Sequence, residues 1–315
     1  MHAIEVEGLV KEYGALRAVD GLSFSIAKGE IFALLGPNGA GKTTTVEILE
    51  GHRQRTSGRV SVLGEDPGRA GRALRERIGI VLQEAGFDED FSPLELVTLY
   101  GRMYPRHLGP DEVLELVGLD DKRDARVKTL SGGQRRRLDL ALGLVGDPEL
   151  LFLDEPTTGF DPEARRKAWD LVANLRALHK TVLLTTHYMD EAEHLADRVA
   201  VVAHGRLVAI GTPEELAAAG EAPSIVSFRL PSGVEARDLP ILDGALVHEG
   251  LDWQLPTAHP THSLSVLTTW AVHHGVEMPS LAVNRPSLED TYLALVGRPD
   301  AEAEAAEAVP AGAAR

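Results

Sequence analysis

The chain has 315 residues, with 32 Lys and Arg against 48 Asp and Glu, which gives a formal net charge of -16. At roughly 100–200 residues per domain, this length predicts about two domains. The acidic balance disfavours binding of nucleic acid by the whole surface. The chain contains no cysteine, which excludes disulfides, cysteine-based zinc sites and thiol catalysis.

No apolar run approaches the roughly 20 residues that a membrane-spanning helix needs. The N-terminal sequence alternates and is acidic, without the basic and then apolar segment of a secretory signal. We therefore expect the protein to act at a membrane only if another chain holds it there.

Residues 1 to about 220 predict one α/β domain, because short apolar strands alternate with helical segments. The expected elements, in chain order, are strands at 4–9, 22–26 and 30–35, a helix at 42–50, a strand at 77–82, a helical stretch at 93–145, a strand at 150–153, a helix at 162–178, a strand at 182–186, a helix at 189–196 and a strand at 199–203. This order predicts a mostly parallel sheet covered on both faces. The block from about 88 to 145 interrupts the alternation and is expected to be an inserted helical subdomain.

A second pattern begins near residue 221 and predicts a small C-terminal α+β domain at 221–297. It contains expected strands at 225–230 and 278–283, a hairpin formed by 245–248 and 252–255, and helices at 263–274 and 287–297. Residues 298–315 are rich in Ala, Glu and Pro and predict a flexible or disordered tail. A purely structural role for the C-terminal domain stays open.

The strongest local motif is a phosphate-binding loop between the strand at 30–35 and the following helix. It consists of Gly36, Pro37, Asn38, Gly39, Ala40, Gly41, Lys42 and Thr43. Glycines let the backbone curl so that its N–H groups face a phosphate, and the helix adds its positive dipole end. In this pattern Lys42 reaches the outer phosphates and the Thr43 hydroxyl binds Mg²⁺.

Two acidic residues complete this nucleotide pattern at the end of the strand at 150–153. Asp154 lies at its carboxyl end, where open α/β sheets bind their ligands. There it would hold Mg²⁺. Glu155 would accept the proton of an attacking water molecule.

The segment Ser131-Gly132-Gly133-Gln134 predicts a helix N-terminus that another molecule can approach closely. Ser131 and Gln134 form a capping box, but such a box does not need two glycines, each of which lowers helix propensity by about 1 kcal/mol. Small residues there let the backbone approach another molecule closely. A helix start with bare N–H groups and a serine hydroxyl suits a phosphate.

With these three motifs, residues about 4–215 resemble the nucleotide-binding subunit of an ATP-binding cassette (ABC) transporter. In that family the LSGGQ signature of one subunit closes over ATP held on the phosphate loop of its partner. The resemblance implies a P-loop NTPase fold, ATP and Mg²⁺ as cofactors, and a second ATPase subunit, with a homodimer expected.

The resemblance also implies a role for each matching residue. Catalytic roles are implied for Glu155, His187, Lys42 and Gln83, and Mg²⁺ binding for Thr43, Gln83 and Asp154. The implied ATP contacts are Tyr13, which stacks on adenine, and Gly36, Pro37, Asn38, Gly39, Ala40, Gly41, Lys42, Thr43 and Thr44. Ser131, Gly132, Gly133 and Gln134 are implied to contact the partner's ATP, and Asp161 to cross the dimer interface.

Two longer segments are similar to the ATPases of type-2 exporters, including those of the daunorubicin-resistance class. They are the stretch from Ser131 to Pro162 and the C-terminal segment that begins at Pro286. The similarity implies ATP-driven dimer closure that powers export of a drug, lipid or glycan-type substrate. It also implies a separate integral membrane permease and a position at the cytoplasmic face of the cell membrane.

Two alternatives are weighed against export. A soluble ABC ATPase that acts on ribosomes or nucleic acid is disfavoured by the single phosphate loop and the acidic charge. A GTPase or small-molecule kinase leaves the LSGGQ segment without a purpose. The run Arg135–Arg137 is interpreted as a solvated or interface face of the signature helix rather than as a nucleic-acid patch.

Overall fold

A computed structural model describes residues 2–81, 86, 88–219, 223–231, 233–284 and 292. The chain divides into two compact units, and the division falls between Pro213 and Glu214. The domain limits expected at about 220 and 297 stay predictions. The tail at 298–315 and the closing helix, apart from Tyr292, lie outside the described residues.

Among the residues that the structure describes, the first unit contains nine strands, and helices alternate with most of the strands along the chain. The strands are β1 (His2–Tyr13), β2 (Leu16–Ala27), β3 (Ile31–Leu35), β4 (Ser57–Val62), β5 (Ile78–Val81), β6 (Leu150–Asp154), β7 (Thr181–Thr186), β8 (Arg198–Ala203) and β9 (Arg206–Gly211). The helices that begin in it are α1 (Lys42–Leu49), α2 (Arg72–Arg75), α3 (Pro93–Gly101), α4 (Pro110–Leu116), α5 (Gly132–Leu144), α6 (Pro162–Ala177), α7 (Met189–Leu195) and α8 (Pro213–Ala219).

The larger sheet has six strands in the order β5-β6-β7-β3-β8-β9, and only the edge strand β9 is antiparallel to its neighbour. Strands β3 and β7 are buried along their whole length, as expected for a sheet with both faces covered. The α/β class and the mostly parallel sheet are therefore confirmed. Strand β9 was not predicted.

A second sheet, with the order β2-β1-β4, is antiparallel. It shares one apolar core with the six-stranded sheet, in which Ile4 and Leu22 of the small sheet join Phe32 and Phe152 of the large one. The rings of Phe24 and Phe32 stack across this core with centroids 5.5 Å apart. The sequence predicted strands in β1 and β2 but not a separate sheet, and it missed β4.

The segment expected to be helical from residue 93 to 145 is divided into three helices, α3, α4 and α5, joined by turns that contain two short 3₁₀ segments. Helix α3 begins at Ser92, whose hydroxyl accepts a hydrogen bond from the backbone of Glu95 while the Glu95 carboxylate accepts one from Ser92 N–H. This capping box and a proline at the first helical position were predicted from the sequence.

In its described part, the second unit contains a four-stranded antiparallel sheet that packs against one helix. Its strands, in the order β11-β12-β10-β13, are β10 (Ser224–Phe228), β11 (Val247–Glu249), β12 (Asp252–Thr257) and β13 (Ala282–Asn284), and its helix is α9 (Pro260–His274). Val226, Phe228, Leu255 and Leu267 form its core. The α+β class is as expected, although α9 begins three residues earlier than predicted, because Pro260 occupies its first turn.

Within the described ranges, no helix of either unit combines the length and the apolar character required to cross a bilayer.

Candidate functional site

Three of the four predicted catalytic residues, Lys42, Glu155 and His187, lie at one edge of the six-stranded sheet, and Gln83 lies outside the described residues. Strand β7 lies between β3 and β6, and all three are parallel. The phosphate loop follows β3, Asp154 ends β6 with Glu155 directly after it, and His187 directly follows β7. Because these three carboxyl ends are neighbours, the topology brings together residues that are distant in sequence.

The phosphate loop is held in a curled conformation by its own backbone and by Lys42. The Lys42 ammonium donates to the carbonyls of Gly36 at 2.8 Å and Pro37 at 3.1 Å. Only 5% of Lys42 is exposed. Gly41, which precedes α1, has a φ of 96°, and no side chain caps the helix N-terminus. The first N–H groups of α1 are therefore available to an anion.

Glu155, Lys42 and His187 form a compact cluster of charged and polar groups. Glu155 Oε1 lies 3.7 Å from Lys42 Nζ and 3.3 Å from His187 Nδ1, and Glu155 Oε2 accepts a hydrogen bond of 3.0 Å from the Thr158 hydroxyl. Burial alone raises the pKa of Glu155, but the Thr158 bond and the neighbouring His187 and Lys42 outweigh it and lower that pKa. Glu155 is therefore ionised near neutral pH and able to accept a proton.

Burial also lowers the pKa of Lys42, and the charges of Glu155 and Asp154 offset part of that effect. A phosphate chain placed in the loop would raise the pKa of Lys42 again, since opposite charge nearby favours an ammonium. The charge of Lys42 therefore favours binding of a polyanion over binding of a neutral ligand.

Asp154 and Thr43 supply oxygen donors of the kind that Mg²⁺ prefers. Asp154 Oδ1 accepts a hydrogen bond of 2.5 Å from the Thr185 hydroxyl, which fixes the carboxylate at the end of β6. Thr43 and Thr44 are the second and third residues of α1, and Thr43 is exposed. The donor set fits Mg²⁺ carried with a nucleotide. Gln83, the third expected ligand, lies outside the described residues.

A buried carboxyl beneath this edge gives a pH-dependent prediction. Burial, with smaller contributions from Asp154 and Glu47, raises the pKa of Glu50 to about 8. Between the ordinary carboxyl pKa and this value the folded state binds more protons than the unfolded state, so stability falls as pH rises. We expect Glu50→Gln to leave the free energy of unfolding nearly unchanged at pH 5 and to raise it at pH 9 by up to about 4 kcal/mol.

Urea unfolding of nucleotide-free, EDTA-treated protein across this pH range measures the difference. Glu47→Gln is the matched control, because Glu47 is on the same helix but is partly exposed and paired with Arg53 at 2.5 Å. Parallel pH profiles for wild type and Glu50→Gln would contradict the prediction.

The signature segment begins α5 as a complete capping box. Gln134 N–H donates to the Ser131 hydroxyl at 3.3 Å, and Ser131 N–H donates to Gln134 Oε1 at 2.9 Å. A Cβ added at Gly132 or Gly133 would meet no atom within 4 Å. Neither glycine is therefore required by packing against the part of the chain that the structure describes, and close approach by another molecule stays a prediction.

Asp161 is the N-cap of α6 and accepts hydrogen bonds from the backbone of Glu163 at 3.0 Å and Ala164 at 2.9 Å. A cleft of about 550 Å³ is lined by the signature segment, by Asp161 and by residues of α6. Asp161 thus has a structural role in the single chain, and its contact across a dimer interface stays a prediction.

Tyr13 ends β1 and is 40% exposed. Lys11 Nζ lies 4.9 Å from its ring centre, and the Arg53 guanidinium carbon lies 5.4 Å from it. Both cations lie over the ring of this partly exposed side chain, and stacking of adenine on Tyr13 stays a prediction.

Comparison with known proteins identifies the family. A family model described as "ABC transporter" matches residues 19–158. The daunorubicin resistance ATP-binding protein DrrA3 of Streptomyces coeruleorubidus is 41% identical, over 94% of this chain and 96% of that protein. The chain belongs to the ABC transporter ATP-binding family. It is therefore an ATP-binding, ATP-hydrolysing subunit.

Other members extend the similarity beyond drug resistance. The Nod factor export ATP-binding protein I of Paraburkholderia xenovorans is 40% identical over 94% of this chain and 97% of that protein. Linearmycin resistance ATP-binding protein LnrL of Bacillus subtilis is 36% identical over 94% of this chain and 98% of that protein. A second family model, "ABC transporter domain-containing protein-like, C-terminal domain", matches residues 224–287.

Solved ABC structures match the cassette part of the chain. CbiO1 of Clostridium perfringens, part of the ABC transporter complex cbiONQ, aligns with a TM-score of 0.62 and 30% identity over 69% of this chain and 91% of that chain. The ADP conformation of the ATP-binding cassette MJ1267 aligns with a TM-score of 0.62 and 26% identity over 68% of this chain and 92% of that chain.

Several residues of this ABC site were not predicted from the sequence. Thr158 and Thr185 hold Glu155 and Asp154, and buried Glu191 accepts from the Thr157 hydroxyl at 2.7 Å. Arg135–Arg137 was interpreted as a solvated or interface face of the signature helix. Solvation is wrong for Arg136, whose side chain is only 13% exposed, and an interface role stays a prediction.

Proposed function

We propose that this protein is the ATPase subunit of an exporter whose substrate passes through a separate membrane permease. The observation that carries the proposal is whole-chain similarity to three ATP-binding proteins, two named for drug resistance and one for Nod factor export. The expected cargo is a drug, lipid or glycan-type molecule. The separate C-terminal match at residues 224–287 supports an ABC subunit of this type rather than a cassette alone.

Two copies would bind two ATP molecules between them. In each site Gly36–Thr44 and Tyr13 hold the nucleotide of one protomer, and Ser131–Gln134 of the other protomer contact its phosphates. Glu155 accepts a proton from the attacking water, while Lys42 and His187 stabilise the phosphate charge. Mg²⁺ held by Thr43, Asp154 and Gln83 would neutralise phosphate charge in that site.

Closure on ATP binding and opening after hydrolysis would move the permease. We place the working protein at the cytoplasmic face of the cell membrane, held there by that partner and without nucleic acid. The alternative, a soluble ABC ATPase that acts on ribosomes or nucleic acid, finds no support among the relatives described above.

Affinity purification from native membranes tests the proposal. We expect the tagged full chain to purify with an integral membrane protein and to hydrolyse ATP in a Mg²⁺-dependent manner. A Glu155→Gln chain serves as the matched bait, since it should keep the ATP-bound complex without turnover. Recovery with ribosomes or nucleic acid and no membrane chain would contradict export. Candidate cargoes are then compared by their stimulation of hydrolysis.

A further inference from the structure

Arg136 connects the signature helix to the backbone on both sides of Glu155. It lies in α5, two residues after Gln134. Its Nη2 donates to the carbonyl of Asp154 and its Nε to the carbonyl of Pro156, each at 3.1 Å. One guanidinium therefore holds the carbonyls of the two residues that flank the expected base.

The backbone of Glu155 needs such support because its conformation is rarely adopted by a residue with a side chain. Its φ is 45°, in the left-handed region. Its N–H donates to the Thr185 carbonyl at 3.2 Å and hydroxyl at 3.0 Å, and its carbonyl accepts from Thr158 N–H at 3.3 Å. The backbone of residues 154–156 is therefore held from two sides. Thr185 on β7 binds the Glu155 N–H, and Arg136 on α5 binds the carbonyls of Asp154 and Pro156.

Asp139, one turn along α5, is placed to hold the guanidinium. Asp139 Oδ2 lies 3.7 Å from Arg136 Nη1, and only 13% of the Arg136 side chain and 10% of the Asp139 side chain are exposed. Burying a charge pair at this depth costs desolvation free energy. The planar guanidinium of Arg136 binds two carbonyls at once, which a lysine ammonium does not reproduce. The neighbouring arginines point elsewhere, Arg135 to Glu89 at 2.8 Å and Arg137 to the Gly118 carbonyl at 2.7 Å.

We propose that Arg136 is a positioning residue that couples the position of the signature segment to the orientation of Glu155 in the same protomer. The proposal rests on the proposed dimer, in which the signature contacts the partner's ATP. A helix moves as a rigid body over two residues, so a shift at Ser131–Gln134 moves Arg136 and the two carbonyls that it binds. ATP engaged by one protomer's signature thereby orients the base in that protomer's own site.

Steady-state ATP hydrolysis by the purified full chain tests this coupling. Arg136→Gln keeps a polar side chain but loses the guanidinium fork, and Arg136→Lys keeps the charge and one donor group. Arg135→Gln is the matched control on the same helix, because its ion pair to Glu89 does not touch the segment after β6. For each variant, kcat, KM for ATP, the Hill coefficient for ATP and the thermal unfolding midpoint are measured.

We expect Arg136→Gln to lower kcat at least tenfold, with KM for ATP within about twofold of wild type and a Hill coefficient close to one. Arg136→Lys should give an intermediate kcat, and Arg135→Gln should behave as wild type. A wild-type Hill coefficient in folded Arg136→Gln, or equal loss of kcat in Arg135→Gln, would overturn the proposal.

If Arg136→Gln fails to fold, Arg136→Lys decides the question, since unchanged kcat and cooperativity in that variant also overturn it. Failure of the proposed function is distinguishable, because export is tested by recovery of a membrane partner, whereas failure of the proposed dimer would leave the wild-type chain itself with a Hill coefficient of one.

Discussion

Replacing Glu155 by glutamine is expected to slow ATP hydrolysis by at least about 100-fold, the usual contribution of a general base. The amide has nearly the same shape, so it can keep the hydrogen bond from Thr158, but it cannot accept a proton. ATP should still bind, because Lys42 and the loop backbone are unchanged. Single-turnover hydrolysis and equilibrium binding of ATP measure the two effects separately.

Glu163→Gln is the control for this experiment. Glu163 is an exposed carboxylate in the first turn of α6, paired with Lys167 at 2.7 Å, and it lies outside the cluster of Glu155, Lys42 and His187. Its variant should hydrolyse ATP at a rate close to wild type. Hydrolysis by Glu155→Gln at the wild-type single-turnover rate would remove Glu155 as the base.

The second large effect is expected in the phosphate loop, where two glycines with positive φ provide a matched pair. A Cβ at Gly41 would lie 2.4 Å from the Ala18 carbonyl oxygen on β2, whereas a Cβ at Gly39 would meet nothing within 4 Å. Gly39→Ala carries only backbone strain, about 1–2 kcal/mol. Gly41→Ala adds a steric overlap with backbone, and we expect it to cost about 4 kcal/mol in total.

Urea unfolding of the nucleotide-free protein measures both losses, and ATP titration shows whether the loop still binds phosphate. We expect ATP binding to be lost in Gly41→Ala, because relief of the overlap displaces the N–H groups that face the nucleotide. Equal destabilisation by the two variants would mean that the contact with Ala18 does not constrain the loop.

The sequence predicted the phosphate loop, Asp154 and Glu155 because an apolar strand comes directly before each motif, whereas the role of His187 was implied by the family resemblance. The strands at Ile31–Leu35, Leu150–Asp154 and Thr181–Thr186 are nearly all buried, so hydrophobicity alone located them. Strand β4 was missed because it begins with three exposed residues, Ser57, Gly58 and Arg59, and therefore has too few apolar residues to show a strand alternation. A short strand of this kind is identified by its partner rather than by its own residues.

Strand β9 has a local sequence signal, the glycine at position 205 in a short turn after an apolar strand. His204 and Gly205 have φ values of 50° and 76° between two antiparallel strands, as in a two-residue hairpin turn with both central residues left-handed. The position of Arg136 had no comparable signal, since which arginine of α5 faces inwards depends on how that helix packs against the end of β6. Tertiary packing, rather than the spacing of residues along the helix, determines that Arg136 is the arginine that faces inwards.

The two helix starts that line the cleft of the first unit differ in charge. Helix α5 is capped by the neutral Ser131 and has no acidic residue in its first turn, whereas α6 is capped by Asp161 and followed by Glu163. The partial positive charge of the α5 start is therefore uncompensated, while that of α6 is already neutralised from within the chain. In the proposed dimer, this difference in charge would attract the partner's ATP phosphates towards Ser131–Gly133 and repel them from Asp161 before any close contact forms.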